Sequence, residues 1–313
     1  RSGYSVHMSP ITVAGSPDVV YSNAIGAFEY VKFSGNKLVV YVCDDGTNVK
    51  IFDITTPSTP VDITGEATFT IGCRVDFAVV ADKLIITSDL YDKPVSWDGT
   101  GTCLELKLTV AGSPDTYEYA PAGAYCEEFY NFGFIGNTSA NPERVYWSGV
   151  FDPQSWTLTD FKRLNDACTG IGKRGDNLFL FTRNSITLVQ YTGDSVSPFQ
   201  FNQLDSGIGC VSNRTIKNIE GVLFWLGGDG HVYRMAGFKP ERLTEACPIT
   251  IASLNVDGFN IACAEDHKEL RQYWCAVTND SSTVNDFIIA YDYFNNEIFF
   301  YEGMSVQCFL NLA

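Results

Sequence analysis

Apolar residues along this chain come in short runs in which hydrophobic and aromatic positions alternate with polar ones, and Gly, Asn, Asp and Ser separate the runs. Alternation with a period of two, broken by turn residues every 8–12 positions, marks antiparallel strands joined by tight turns. No 3.6-residue period persists long enough to compete with it, so a helical solenoid is excluded.

The runs repeat. A hydrophobic anchor recurs at Leu38, Leu84, Phe132, Leu178, Leu223 and Tyr273, at steps of 45 to 50 residues. Ahead of each anchor lies a strand, predicted at 28–33, 75–80, 125–129, 169–174, 215–219 and 259–264. Tight polar turns such as Ser34-Gly35-Asn36 and Gly175-Asp176 then lead into the anchor strand. A third strand often carries an aromatic residue, among them Phe52, Trp97, Trp147, Tyr233 and Tyr291. Fourth strands are visible at 103–108 and 297–301. Several strands per unit at a 40–50-residue period is what the blades of a β-propeller require. The expectation is therefore an all-β fold: one β-propeller domain over residues 1–313, of six four-stranded blades, with a seventh, composite blade as the alternative.

One duplication is nearly verbatim. Val13-Ala14-Gly15-Ser16-Pro17-Asp18 recurs as Val110-Ala111-Gly112-Ser113-Pro114-Asp115, an offset of 97 residues. Because the second copy follows a fourth strand, residues 4–13 are expected to be an outer strand that closes the ring against the C-terminal end. Closure of that kind removes the free edges of an open sheet. Residues 305–312 read as the first strand of a further unit, cut short.

Composition adds limits. Hydrophobic residues make up 45% of the 313, enough for a sizeable core, and the 22 Phe and 16 Tyr suit strands. No apolar run approaches the ~20 residues that span a bilayer, so a soluble protein without a membrane anchor is expected. The Arg1 start suggests a longer or processed natural polypeptide. With 21 Lys and Arg against 37 Asp and Glu, the net charge is −16, and no basic run offers a grip on duplex DNA. Ten cysteines form no Cys-x-x-Cys pair, and His7, His231 and His267 do not join them at metal-ligand spacing. Buried free thiols are expected.

No catalytic constellation emerges, and no catalytic, cofactor-binding or metal-binding residue is assigned; the chain reads as non-enzymatic. Glu127-Glu128, Asp44-Asp45 and Asp292 read as solvated carboxylates at turns or strand edges. The pairs Asp45-Gly46, Asp98-Gly99, Asp229-Gly230 and Asp257-Gly258 read as hairpin turns rather than calcium loops. The glycosylation triplets at Asn137, Asn213 and Asn279 read as chance. Trp147, Trp156 and Trp225 are expected to pack between blades, and Asp152-Pro153 to reverse the chain before Trp156. Gly170, Gly172, Gly207 and Gly209 suit places where backbone bends or approaches closely.

The middle of the chain resembles a known family. Arg144-Val145-Tyr146-Trp147-Ser148 followed by Phe151-Asp152-Pro153-Gln154-Ser155-Trp156 is similar to a segment of propeller-bearing tail proteins of short-tailed bacteriophages: hub, nozzle and packaged-DNA-stabilisation proteins. Cys168-Thr169-Gly170-Ile171-Gly172, the run 175–181 and Asn184-Ser185-Ile186 continue the likeness. So do the runs 207–212, 221–225 and 230–234. The resemblance implies a structural role in the virion tail, after assembly in the host cytoplasm. It implies a ring of identical subunits below the portal, in contact with other tail or portal-adaptor proteins, which retains the genome or lets it pass without adhesion. It brings no catalytic residue and no cofactor. Two other readings compete: a ligand- or glycan-binding propeller, which predicts an exposed aromatic cluster at one rim, and a hydrolase, which predicts acidic side chains converging in the central channel.

Overall fold

The computed structural model describes residues 11–13, 19–21, 23–110, 113, 116–205 and 207–309. It is a β-propeller of six four-stranded antiparallel blades, each made of consecutive strands. Blade one comprises Asn23–Val31, Lys37–Asp44, Val49–Asp53 and Val61–Asp62. Blade two comprises Val75–Val80, Lys83–Ser88, Val95–Trp97 and Leu104–Glu105. Blade three follows with Gly123–Phe129, Phe132–Thr138, Arg144–Gly149 and Asp152–Arg163, and blade four with Gly170–Arg174, Asn177–Phe181, Ile186–Tyr191 and Phe199–Asp205. Blade five has Lys217–Ile219, Val222–Leu226, Val232–Met235 and Glu241–Arg242. Blade six has Cys263–His267, Gln272–Val277, Asn285–Asp292 and Glu297–Val306. The first strands of successive blades lie beside one another and line the axis.

Alternation along the second strands decides which face each residue meets. In blade four, Leu178 and Leu180 pack toward blade three, while Phe179 and Phe181 pack toward blade five. Blades one and two, two and three, three and four, four and five, and five and six each share a continuous apolar core. Trp225 is fully buried between blades four and five, Trp156 is buried between two and three, and Trp147 packs partly buried between three and four. Each such aromatic stabilises its junction by ~1.5–3 kcal/mol of apolar burial. Gly209 lets two backbones touch: a Cβ there would lie 2.1 Å from the carbonyl oxygen of Thr182.

Several expectations need correction. Ile11–Val13 pair with Val19–Tyr21 in a separate two-stranded sheet instead of joining blade six, whose four strands all come from 263–306; residues 4–10 lie outside the described residues. Lys107–Thr109, ahead of the second copy of the duplicated segment, pair with Tyr117–Tyr119 in the same way; most of each copy is outside the described residues. Ser305 and Val306 end the outer strand of blade six rather than opening a new unit. The chain reversal before Trp156 falls at Val150 and Phe151, and Asp152 already pairs with Gly149. Phe151 itself takes the left-handed conformation (φ 56°) that completes this turn.

The inner strand of blade six starts at Cys263, not at 259. A 3-10 segment over Val256–Ile261, capped by the Asn255 side chain on Asp257 N–H, occupies the preceding positions. No helix among the described residues is long and apolar enough to cross a membrane.

Candidate functional site

Three regions of the ring carry chemistry: the axis, the face where blades connect, and the face of the hairpin turns.

At the axis, the inner strands of blades two and three present Asp76 and Glu127, and the segment entering blade five presents Asn213. Asn213 Nδ2 donates to Asp76 Oδ2 at 2.7 Å, and Cys126 N–H donates to the same oxygen at 2.9 Å. Asn213 Oδ1 in turn accepts the Ile171 N–H at 2.8 Å. One amide thus ties blades two, four and five together across the centre. Asp76 keeps limited solvent contact yet is ringed by protein, and this burial pushes its carboxyl up to about 6 against the backbone hydrogen bonds that hold it down. Burial pushes Glu127 up to about 7, with the nearby Asp76 charge adding to the shift and Lys173 opposing it. Around them the charges pair: Lys173 with Glu128, and Lys217 with Glu265 at 3.0 Å.

Glu127 and Glu128 are therefore not turn carboxylates. Both lie on an inner strand, in register with Phe134 and Gly133. The sequence signal that would have found them is their position five and four residues before the Phe132 anchor, inside the strand predicted at 125–129. Asp76 escaped notice for the same reason: an acid inside a strand next to an apolar run carries no motif.

The connecting face holds Arg74, just ahead of the inner strand of blade two, and Arg214, in the 3-10 turn Asn213–Thr215. Both line a void of about 20 Å³ beside Asp76 and Asp89, space for a single water. Both also line a larger recess of about 340 Å³ between blades six and one. Burial lowers the Arg74 guanidinium from its usual range, the positive charge of Arg214 adds to this, and Asp89 opposes it.

The opposite face is formed by the turns between first and second strands and between third and fourth strands. It carries Phe33, Tyr130, Phe151, Tyr191, Phe238 and Phe294 from five different blades, all substantially exposed. Tyr130 and Tyr191 stack on each other with ring centres 4.5 Å apart. The Arg271 guanidinium lies 4.8 Å from the centre of the Phe294 ring.

The remaining sequence candidates fall where turns were expected, with exceptions. Asp45 Oδ1 accepts the amides of Thr47 and Asn48, and Asp292 Oδ1 those of Phe294 and Asn295, as turn-closing carboxylates do. Asp98-Gly99 and Asp229-Gly230 form turns as well, whereas Asp257-Gly258 lies within the 3-10 segment. His231 Nδ1 hydrogen-bonds Thr244 Oγ1 at 2.9 Å, and His267 packs on Trp274; His7 is outside the described residues. Asn213, buried and doubly bonded at the axis, has no room for a glycan. All ten cysteines are free thiols, eight of them buried.

Comparison with known proteins supports the architecture. No protein-family model matches the sequence, and no curated protein sequence matches it. Among solved structures, the chain is similar to the computationally designed protein Ika8, with a TM-score of 0.51 and 13% identity over 98% of this chain and 92% of that one. It is similar to AztD of Citrobacter koseri at a TM-score of 0.51 and 10% identity, covering 93% of this chain and 75% of that one. The Dos1 propeller aligns at a TM-score of 0.50 and 12% identity, over 96% of this chain and 74% of that one. Identities this low speak to fold alone, and the fold they share with this chain is the propeller.

Proposed function

We propose that this propeller is a structural module of a short-tailed bacteriophage tail, a ring subunit of the hub, nozzle or adaptor type that docks onto neighbouring tail proteins. The order of the three motifs over residues 144–234 resembles that family, and the observation that supports a docking role is the aromatic face of the turns. Exposed Phe and Tyr side chains on the turns of five blades give a broad apolar surface suited to a flat partner. A closed ring built from heterologous contacts needs no self-complementary patch, so a face of this kind can serve a different protein above or below. With a net charge of −16, the module would let DNA slide past without gripping phosphate.

Immunogold electron microscopy of purified virions tests this reading. Label at the tail is expected, and absence of the protein from virions sinks it. Tight, salt-sensitive DNA binding by the isolated protein would remove the sliding-wall part.

The stacked Tyr130 and Tyr191 at the rim favour one second reading, a glycan-binding propeller. Saturable sugar binding lost in Tyr130→Ala would establish it over the tail role. The acids at the axis, Asp76 and Glu127, are the arrangement a hydrolase reading asks for, but the space beside Asp76 holds one water and its Oδ2 already accepts two hydrogen bonds.

A further inference from the structure

The face of the hairpin turns carries bare apolar tips. Phe33 of blade one, Phe151 of blade three, Val196 of blade four, Phe238 of blade five and Phe294 of blade six are exposed by 74, 63, 88, 51 and 70%. They stand on five separate blades, spaced around the axis instead of packed into one cluster.

The turns beneath four of these tips are already satisfied. The Phe33 N–H donates to Asp82 Oδ1 and the Val196 N–H to Asp194 Oδ1, both at 2.7 Å. The Phe294 N–H donates to Asp292 Oδ1 at 3.0 Å, and the Phe151 N–H to the Asn131 carbonyl at 2.9 Å. A peptide N–H that enters an apolar phase without a partner is costly, and these four can leave water without that cost. The same bonds engage three carboxylates in the turns themselves. Cations stand beside the tips: Lys32 precedes Phe33, Lys239 follows Phe238, and the Arg271 guanidinium packs on the Phe294 ring.

Whatever covers this face has to accept five protruding side chains at fixed spacing. A folded protein accepts them only with five matching pockets. A bilayer interface takes apolar tips wherever they fall, and its headgroup phosphates meet the cations at their bases. Asn23 and Gln307, where the ring begins and ends, line the recess on the connecting face, so chain that flanks the ring leaves from the opposite side. We infer that the hairpin-turn face docks peripherally on a phospholipid bilayer. The five tips dip below the headgroups, and Lys32, Lys239 and Arg271 lie at the phosphates. The net charge is −16, and acids such as Asp176 and Glu269 share this face, so long-range attraction is not the source of binding. Apolar insertion is, and neutral phosphatidylcholine suffices. The inference rests on the reading that this is the docking face and assigns it a bilayer; contacts with neighbouring tail proteins then fall to the rim and the connecting face.

Co-sedimentation of the full 313-residue chain with phosphatidylcholine vesicles is the test. Saturable binding is expected, weakened about tenfold in Phe33→Ser and again in Phe294→Ser, since each removes one inserted ring. Leu158→Ser is the control: Leu158 is as exposed, at 62%, but lies on the outer strand of blade three, and its loss should leave binding unchanged. Circular dichroism checks that each variant is folded. No sedimentation with vesicles, binding that survives both Phe substitutions, or equal weakening by Leu158→Ser overturns the inference. Self-association in analytical ultracentrifugation that Phe33→Ser abolishes would assign the face to a second copy and overturn it too. Vesicle binding by a protein absent from virions would remove the tail role alone; label in virions without vesicle binding would remove this inference alone and return the face to a protein partner.

Discussion

Asn213 and Asp76 stand 137 residues apart and meet at the axis, where the Asn213 amide donates to the Asp76 carboxylate at 2.7 Å. The bond spans from blade two to the entry of blade five, and the same side chain accepts from Ile171 in blade four. Asn213→Ala removes both interactions and leaves the Ile171 N–H buried without a partner. A loss of ~2–4 kcal/mol in unfolding free energy is expected from a charge-assisted bond plus an orphaned donor. Urea denaturation reads it, and a change below ~0.5 kcal/mol would show that the axis is not held together by this residue.

Asp76 makes stability depend on pH with an unusual sign. Its folded pKa, about 6, lies above the ordinary carboxylate value of 3.8. The folded state therefore binds more protons than the unfolded chain between these values, and stability falls as pH rises through 4 to 6. Glu127, pushed up to about 7, extends the decline toward neutrality. The Asn213 and Cys126 bonds both end on Asp76 Oδ2, so the single oxygen of an amide can take these two over. Asp76→Asn is expected to raise the melting temperature at pH 8 and to lose that advantage at pH 4. A destabilised variant at both pH values would contradict the assignment of a costly buried charge.

Gly209→Ala is expected to destabilise strongly, because its Cβ would sit 2.1 Å from the Thr182 carbonyl oxygen and 2.6 Å from the Arg183 carbonyl oxygen. Neither neighbour is the movable end of a side chain. The adjacent bond from Trp225 Nε1 to the Gly209 carbonyl, 3.0 Å, anchors the core between blades four and five. Overpacking of this kind costs ~1–3 kcal/mol or more. Near-UV circular dichroism should report a loosened Trp225 environment; an unchanged spectrum and melting temperature would mean that the crossover relaxes freely.

Eight of the ten thiols are buried, and burial pushes Cys43, Cys73, Cys103, Cys168 and Cys210 up to about 12. Thiol reagents act on thiolates, so native protein at pH 8 should react slowly except at Cys247; Cys308 is only half-buried, but burial raises its thiol too and slows it. Denaturation without reductant should release all ten. A smaller count that rises on adding reductant would show disulfides.

The strands and their order were legible in the sequence because antiparallel hairpins are local. Gly175-Asp176 closes a turn with no help from elsewhere, and alternation in Leu178-Phe179-Leu180-Phe181 already states which residues meet which neighbouring blade. The repeat of 45 to 50 residues then leaves a ring of blades as the arrangement that covers both faces of every sheet. The tertiary structure alone decided what the ring encloses. Asp76, Glu127 and Asn213 carry no motif, and each looks like an ordinary polar residue beside an apolar run. Only closure around one axis brings them together, and only there does burial raise the acids. The sixth junction was equally hidden: Tyr41 and Ala276 alternate like their counterparts in other blades, and nothing in the alternation says that, among the described residues, the faces they line would form two separate clusters. Sequence patterns fix which side of a strand is apolar; the distance between two sheets that close a ring depends on all the junctions before them.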